Sequence, residues 1–126
     1  SAWNSFQKAA HSLATLKGWW EEEDTLISFM NATDVGKRLL ARIMPHLDAA
    51  KIALFHSEAS EALEGIRKNG MSIKIPGFLA VEEELADVLI RIADVAGRRG
   101  WRIAEAVVAK HEYNKGREMR HGGKAL

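Results

Sequence analysis

The sequence contains two pairs of carboxylates in which the members are three residues apart. Glu58 and Glu61 form the first pair, and Glu84 and Asp87 form the second. Residues three apart on a helix face the same way, so both members of a pair can reach one object. Four carboxylates at short range repel one another, and a hard divalent cation relieves that repulsion. An all-oxygen set favours Mg²⁺, with Mn²⁺ as a substitute, over zinc.

Each carboxylate pair borders the apolar face of a helix that the periodicity predicts. The helix that carries Glu58 and Glu61 has an apolar face made of Phe55, Ala59, Ala62, Leu63 and Ile66. The second has one made of Val81, Leu85, Val88, Leu89, Ile92 and Val95. Packing these faces in antiparallel helices would bring both pairs together. The alternative is that they are solvated helix faces, with Glu84 and Arg91 paired at the surface, and periodicity alone supports both interpretations equally.

Basic and amide side chains follow near the end of the chain. Lys110, Asn114 and Arg117 share one stripe of the last predicted helix, where they could hold phosphate or sugar oxygens. Alternatively, these cations only favour the dipole of their own helix. The run from His121 to Lys124 could wrap a phosphate through backbone N–H groups, or be an irregular tail. Trp20 could stack on a base or belong to the core.

Helix formers dominate and β-branched alternation is missing, so we predict an all-α fold. Gly, Asn and Pro residues mark the expected helix ends. The predicted helices are 3–17, a short one within 19–31, one that Asp34 caps and that ends before Pro45, one from Pro45 to 68, 81–99 and 102–117. The segments 71–78 and 118–126 are predicted to be a loop and an irregular tail.

Length and composition limit the classes of protein. A chain of 126 residues is one domain, 1–126, and 47% hydrophobic with 28% charged residues is ordinary for a globular protein. The net charge of +1 argues against a nucleic-acid binder. There is no cysteine, which excludes disulfides and thiolate metal sites. The absence of cysteine fits a reducing cytoplasm, and the apolar runs are too short to cross a bilayer, so we expect a cytoplasmic protein without a membrane partner.

Taken together, these residues resemble the MazG-like nucleotide pyrophosphohydrolases of the all-α NTP pyrophosphatase superfamily. The resemblance covers about residues 51–124, through the segments 52–64, 83–92, 110–117 and 121–124. The family pattern is Glu-Glu-x-x-Glu, a spacer, then Glu-x-x-Asp, and the spacer between Glu61 and Glu84 has a length that the family tolerates. Ser57 replaces the first Glu of that pattern. The N-terminal third matches less, apart from Gly18-Trp19-Trp20, which is similar to a segment of phage-type members.

The resemblance implies an α-helical bundle that forms a homodimer or a dimer of dimers. It also implies Mg²⁺-dependent hydrolysis of a nucleoside triphosphate, (d)NTP, to (d)NMP and pyrophosphate, in nucleotide-pool housecleaning. The implied metal ligands are Glu58, Glu61, Glu84 and Asp87, one of which takes the proton of the attacking water. The implied nucleotide contacts are Lys110 and Asn114, with Arg117 and Lys124 as further phosphate candidates and Trp20 as a candidate for the base.

Two other classes of protein compete with this prediction. A ferritin-like di-iron protein needs Glu-x-x-His on two core helices, and the only such spacing, Glu118 to His121, lies in the tail, so this class is rejected. A non-catalytic helical interaction or nucleotide-binding module of the same fold remains open. A scaffold has no use for the repulsion among four carboxylates, which argues against the module.

Overall fold

The computed structural model describes residues 1–117, and this part of the chain forms five helices without a strand. In chain order they are α1 (Ala2–Leu16), α2 (Glu21–Met30), α3 (Asp34–Lys68), α4 (Ala80–Arg99) and α5 (Ile103–Lys115). An isolated antiparallel bridge between Met71 and Leu79 closes the loop that joins α3 to α4. The predicted all-α character is confirmed. The predicted tail, 118–126, lies outside the described residues.

Local sequence signals explain most of the helix ends. The Ser1 hydroxyl accepts a hydrogen bond from the backbone N–H of Asn4 and so caps α1. The backbone turns left-handed at Asn69, which ends α3 with φ 48°, and at Gly100, which ends α4 with φ 70°. A glycine at such a position avoids the steric cost of a Cβ atom. The predicted ends of these helices therefore agree with the structure.

The prediction of two separate helices around Pro45 is wrong. α3 runs through Pro45 as one helix of 35 residues, and its cap is Thr33, whose hydroxyl accepts from the N–H of Gly36, rather than Asp34. Proline removes one helical hydrogen bond and costs about 3 kcal/mol inside a helix, but its own φ is compatible with helix. Packing of α3 against both α2 and α4 offsets this cost. Long-range packing of this kind is not visible in local sequence.

The helix α4 is the centre of the packing, because it contacts α3 on one side and α1 on the other. The buried core contains Ala14, Trp20 and Val95. Small residues allow α1 and α4 to approach closely, and a Cβ atom at Gly97 would lie only 2.7 Å from the Cβ of His11. Glycine is therefore required at this crossing.

An ion-pair cluster ties α2 and α3 to the last turn of α4. The Arg99 guanidinium donates to Glu23 at 2.5 Å and to Asp48 at 2.7 Å, and Arg98 donates to Glu23 at 3.0 Å. Burial alone would raise the pKa of Glu23, but the hydrogen bonds and charges of Arg99 and Arg98 hold that pKa below its ordinary value. The same contacts raise the pKa of Arg99. The cluster keeps α2 fixed against the bundle.

The apolar faces predicted for α3 and α4 are only partly buried by their mutual packing. Leu63 and Ile66 on α3, and Leu85 and Leu89 on α4, each keep half or more of their surface exposed. None of the described helices combines the length and the apolar character that crossing a membrane requires.

Candidate metal centre

The packing of α3 against α4 brings three carboxylates to one point. Glu58 from α3 and Glu84 and Asp87 from α4 each offer an oxygen, and these atoms all lie within 4.8 Å of one another. All three residues are partly buried. Glu61 lies one turn further along α3 and is exposed. It lines the same cavity as Glu58, Glu84 and Asp87, which is described below. We call Glu58, Glu84 and Asp87 the carboxylate cluster.

Burial and repulsion from neighbouring carboxylates raise the pKa values of two members of the cluster, Glu84 and Asp87. The pKa of Glu84 is raised, chiefly by burial and then by the negative charges of Asp87, Glu83 and the carboxylates of α3. Burial likewise raises the pKa of Asp87, and the charges of Glu58 and Glu83 add to the rise, while two nearby cations oppose it only in part. Groups whose ionised form is disfavoured in this way gain from a divalent cation, and oxygen ligands suit Mg²⁺ or Mn²⁺.

Arg91 is the side chain that partly neutralises the cluster. Its Nε atom donates to Oε1 of Glu58 at 2.6 Å, across the α3–α4 contact. The interpretation in which Arg91 pairs with Glu84 on a solvated surface is therefore corrected. The side chain of Glu58 is 15% exposed and that of Arg91 is 42% exposed, so this ion pair lies at the wall of a cavity with its arginine partly open to solvent.

The cluster borders a cavity of about 770 Å³. The opposite wall comes from α1, whose contribution is apolar: Phe6, Ala9, Ala10, Leu13 and Ala14. The remaining lining residues are Trp19, Glu58, Glu61, Lys74, Glu84, Asp87, Ile90, Arg91 and Asp94. One side of the space is thus acidic with two cations, and the other is apolar. A pocket of this size and mixed lining is typical of small-molecule sites.

The loop between α3 and α4 brings Lys74 to this cavity, and Glu83 positions the loop. The hydroxyl of Ser72 donates to Glu83 at 2.5 Å and accepts from the N–H of Ile75 at 3.0 Å. The ammonium of Lys74 lies 3.8 Å from the carboxylate of Glu83. The site residues predicted from the sequence did not include Lys74 or Glu83. The position of Glu83 next to Glu84 was the only sequence signal that could have indicated them.

Trp20 lies in the core, which argues against its predicted contact with a base. The residue is 2% exposed, and its Nε1 donates to Asp94 at 2.8 Å. Lys51 and Arg98 lie over its ring, with Nζ and Cζ 4.3 and 5.0 Å from the centroid. Trp19, which is 65% exposed, lines the cavity instead. Of the two adjacent tryptophans, Trp19 is the one available to a ligand.

The predicted nucleotide contacts on α5 and just beyond it lie away from the cavity of the same chain, and α5 ends at Lys115, before Arg117. Lys110, Asn114 and Arg117 are exposed, and none of them lines the cavity. The Nζ atom of Lys110 lies 4.4 Å from the ring centroid of Tyr113. The remaining candidate, Lys124, lies outside the described residues. Within residues 1–117, one copy of the chain therefore does not bring Lys110, Asn114 or Arg117 to the carboxylate cluster.

Comparison with known proteins gives no match: no family model, curated protein or solved structure is significantly similar to this chain. The resemblance to MazG-like pyrophosphohydrolases therefore stays a prediction, and the geometry of the cavity carries the functional inference.

Proposed function

We propose that this protein is a Mg²⁺-dependent nucleotide pyrophosphohydrolase of the MazG-like kind, which hydrolyses (d)NTP to (d)NMP and pyrophosphate. The observation that carries the proposal is the position of the carboxylate cluster at the edge of a cavity with an apolar opposite wall. Carboxylates suit the cation that accompanies a triphosphate, and apolar surface suits a base. The proposed role is housecleaning of the nucleotide pool.

The residues that would hold the cation are Glu58, Glu84 and Asp87, with Glu61 as a fourth ligand from the same wall. When bound, Mg²⁺ supplies charge neutralisation to the phosphate chain and lowers the pKa of a coordinated water. One of the four carboxylates takes the proton of the water that attacks the α-phosphorus.

Lys74 and Arg91 would contact the phosphate chain. Both side chains line the cavity, and Arg91 already lies beside a proposed metal ligand. With Glu58 serving as a ligand of the cation, the guanidinium of Arg91 would be free to bind phosphate oxygens in a bidentate manner. The two cations would then offset the charge that develops on the leaving pyrophosphate.

The nucleoside would lie against α1. The side chains of Phe6, Leu13 and Trp19 present apolar and aromatic surface to the cavity, on the side opposite the carboxylates. Aromatic and aliphatic surface stabilises a base by stacking and by exclusion of water.

The active form is proposed to be a homodimer or a dimer of dimers. Two features support it: the exposed apolar residues of α3 and α4, and α5, which is exposed along most of its length. A second copy that covers these surfaces would also bring Lys110, Asn114 and Arg117 near the cavity of its partner. Such an arrangement accounts for cations that one copy leaves remote from the carboxylates.

A non-catalytic nucleotide-binding or interaction module of the same fold is the alternative. The observation that favours it is the Glu58–Arg91 ion pair, because this pair neutralises part of the cluster without a metal ion. The raised pKa values of Glu84 and Asp87 favour the enzyme, because burial and the neighbouring carboxylates still disfavour their ionised forms with Arg91 in place.

A screen of pyrophosphate release with each NTP and dNTP, in Mg²⁺ and in EDTA, separates the two. We expect release from at least one nucleotide in Mg²⁺ and none in EDTA. No release from any nucleotide in Mg²⁺ would favour the module.

A further inference from the structure

Asp94 is a carboxylate at the cavity wall that the proposed metal site does not use. It follows Asp87 by seven residues on α4, which places it on the same helix face about 10 Å further along. Its side chain is 14% exposed and lines the cavity. The separation between the two aspartates is comparable to the distance between the α-phosphate and the base of a nucleotide.

One oxygen of Asp94 is held in place by two donors. Its Oδ1 atom accepts from Nε1 of Trp20 and from Nδ1 of His11, each at 2.8 Å. Since an ionised carboxylate only accepts hydrogen bonds, Nδ1 of His11 carries the proton. Both donors come from packed parts of the molecule, the first helix and the buried Trp20. The orientation of the carboxylate is therefore fixed.

The second oxygen of Asp94 has no hydrogen-bond partner among the described residues. Oδ2 accepts no hydrogen bond from the described residues, and none of their buried side-chain polar atoms lacks a partner. Since Oδ2 has no partner and is not among the buried atoms, it keeps some solvent-accessible surface. The lining around Asp94 is mixed, with Ala10, Ala14 and Ile90 apolar and Arg91 cationic. A fixed acceptor at the cavity wall is a recognition group, because an unmatched partner there stays unpaired.

We propose that Asp94 selects bases with an exocyclic amino group, adenine and cytosine, over those with a carbonyl at the same position, hypoxanthine and uracil. This inference rests on the proposed function, since it assumes that the nucleoside lies along α1 with its phosphates at the carboxylate cluster. The amino group donates to Oδ2. A carbonyl at that position would place two acceptors against each other, and the N–H of the adjoining ring nitrogen could reach Oδ2 only if the base shifted.

Matched substrate pairs test the proposal on the wild-type protein. Cytosine differs from uracil, and adenine from hypoxanthine, at the amino position and the adjoining ring nitrogen. We expect kcat/KM for pyrophosphate release to be about tenfold or more higher with dCTP than with dUTP, and with dATP than with dITP. Equal values, or higher values for dUTP and dITP, would overturn the proposal.

The variant Asp94→Asn makes the test sharper. His11 and Trp20 donate to Oδ1, so the asparagine oxygen must stay at that atom and its NH₂ group takes the place of Oδ2. The group that faces the base then changes from acceptor to donor. We expect the dCTP/dUTP ratio to fall by about tenfold or more, towards uracil. The exposed Asp34→Asn, at the start of α3, is the matched control and should keep the wild-type ratio.

Failure of this inference is distinguishable from failure of the proposed function. If nucleotides are hydrolysed but the ratios do not depend on Asp94, only the role of Asp94 is wrong. If no nucleotide is hydrolysed, the proposed function fails, and calorimetric titration with dCMP and dUMP still decides whether Asp94 selects the amino group. Circular dichroism checks that Asp94→Asn is folded, and if it is not, the wild-type ratios alone decide.

Discussion

At the scale of single residues, the site is defined by a charge imbalance. Three partly buried carboxylates meet within 4.8 Å, and one guanidinium, that of Arg91, pairs directly with one of them. The three-residue spacings in the sequence predicted which carboxylates share a face. They did not predict that Arg91 pairs with Glu58, because that pair depends on the register of α3 against α4, which no local pattern contains.

The imbalance predicts how stability without metal depends on pH. The pKa of Asp87 lies above its ordinary value of 3.8, and that of Glu84 above 4.5, so the folded state holds these protons more tightly than the unfolded state. Their contribution to stability is present below the unfolded pKa and is lost as pH rises through the folded pKa. In EDTA, Asp87→Asn should therefore melt at a higher temperature than the wild type at pH 7.

Thermal unfolding followed by circular dichroism, with and without Mg²⁺, measures this difference. Saturating Mg²⁺ should stabilise the wild type and leave Asp87→Asn nearly unchanged, because the variant has lost a ligand. A variant that is less stable than the wild type in EDTA at pH 7 would contradict the account of repulsion.

Removal of the Arg91 guanidinium should strengthen the binding of Mg²⁺ and weaken the binding of nucleotide. In Arg91→Met the cluster loses its paired cation, so we expect Mg²⁺ alone to bind about tenfold more tightly. Nucleotide binding should weaken, because a contact to the phosphates is lost. Calorimetry with Mg²⁺, and then with a non-hydrolysable triphosphate analogue, measures both. The exposed Arg67→Met on α3 is the control. Weaker Mg²⁺ binding by Arg91→Met would contradict the prediction that Arg91 competes with the cation for Glu58.

At the scale of helices, the site depends on how α4 is held. This helix carries two of the three clustered carboxylates, and the ion-pair cluster at its last turn connects it to α2 and α3. The sequence predicted its ends well, because Gly100 and the segment before Ala80 are local signals. It failed at Pro45, where packing on both sides of α3 outweighs the local preference for a break.

Glu23 should contribute strongly to the stability of the contacts that hold α4 against α2 and α3. Its side chain is 9% exposed and binds both Arg98 and Arg99, so Glu23→Gln removes the carboxylate that the two partly buried arginines share. Within residues 1–117, Arg99 then keeps only Asp48 as an ion-pair partner, and Arg98 keeps only the exposed Asp24. We expect a loss of about 3 kcal/mol in the free energy of unfolding at pH 7. Because the pKa of Glu23 is lowered, its stabilisation is present above the unfolded pKa and disappears as pH falls through the folded pKa.

Urea unfolding at pH 7 and in acid measures both effects. The difference between wild type and Glu23→Gln should shrink in acid. The neighbouring Glu22→Gln, which is exposed, is the control and should change stability by less than about 0.5 kcal/mol. An equally small change for Glu23→Gln would show that the cluster contributes little.

At the scale of the whole molecule, the exposed apolar surface is the main feature. Several large apolar residues on α3, α4 and α5 are half or more exposed, among them Leu63, Leu85 and Val108. The sequence predicted that the faces of α3 and α4 are apolar. It could not show how much of them a single copy buries, since that depends on the angle and spacing of the packed helices.

We expect this surface to make the protein a dimer or tetramer in solution. Sedimentation velocity should give a mass at least twice that of one chain, 14.0 kDa. Leu85→Glu should shift the protein towards the monomer, because it places a charge on the exposed face of α4. Ile73→Glu, in the loop and almost fully exposed, is the control. A wild-type monomer at micromolar concentration would contradict this prediction.

The measurement that tests the central claim most directly is Mg²⁺-dependent pyrophosphate release by the wild type and by Asp87→Asn, with Asp34→Asn as the control. All three proteins should be folded by circular dichroism. The account predicts release by the wild type and by the control, and a loss of at least about 100-fold in Asp87→Asn, because a ligand of the cation is gone. Full activity of a folded Asp87→Asn would contradict the claim that these carboxylates hold the metal ion for nucleotide hydrolysis.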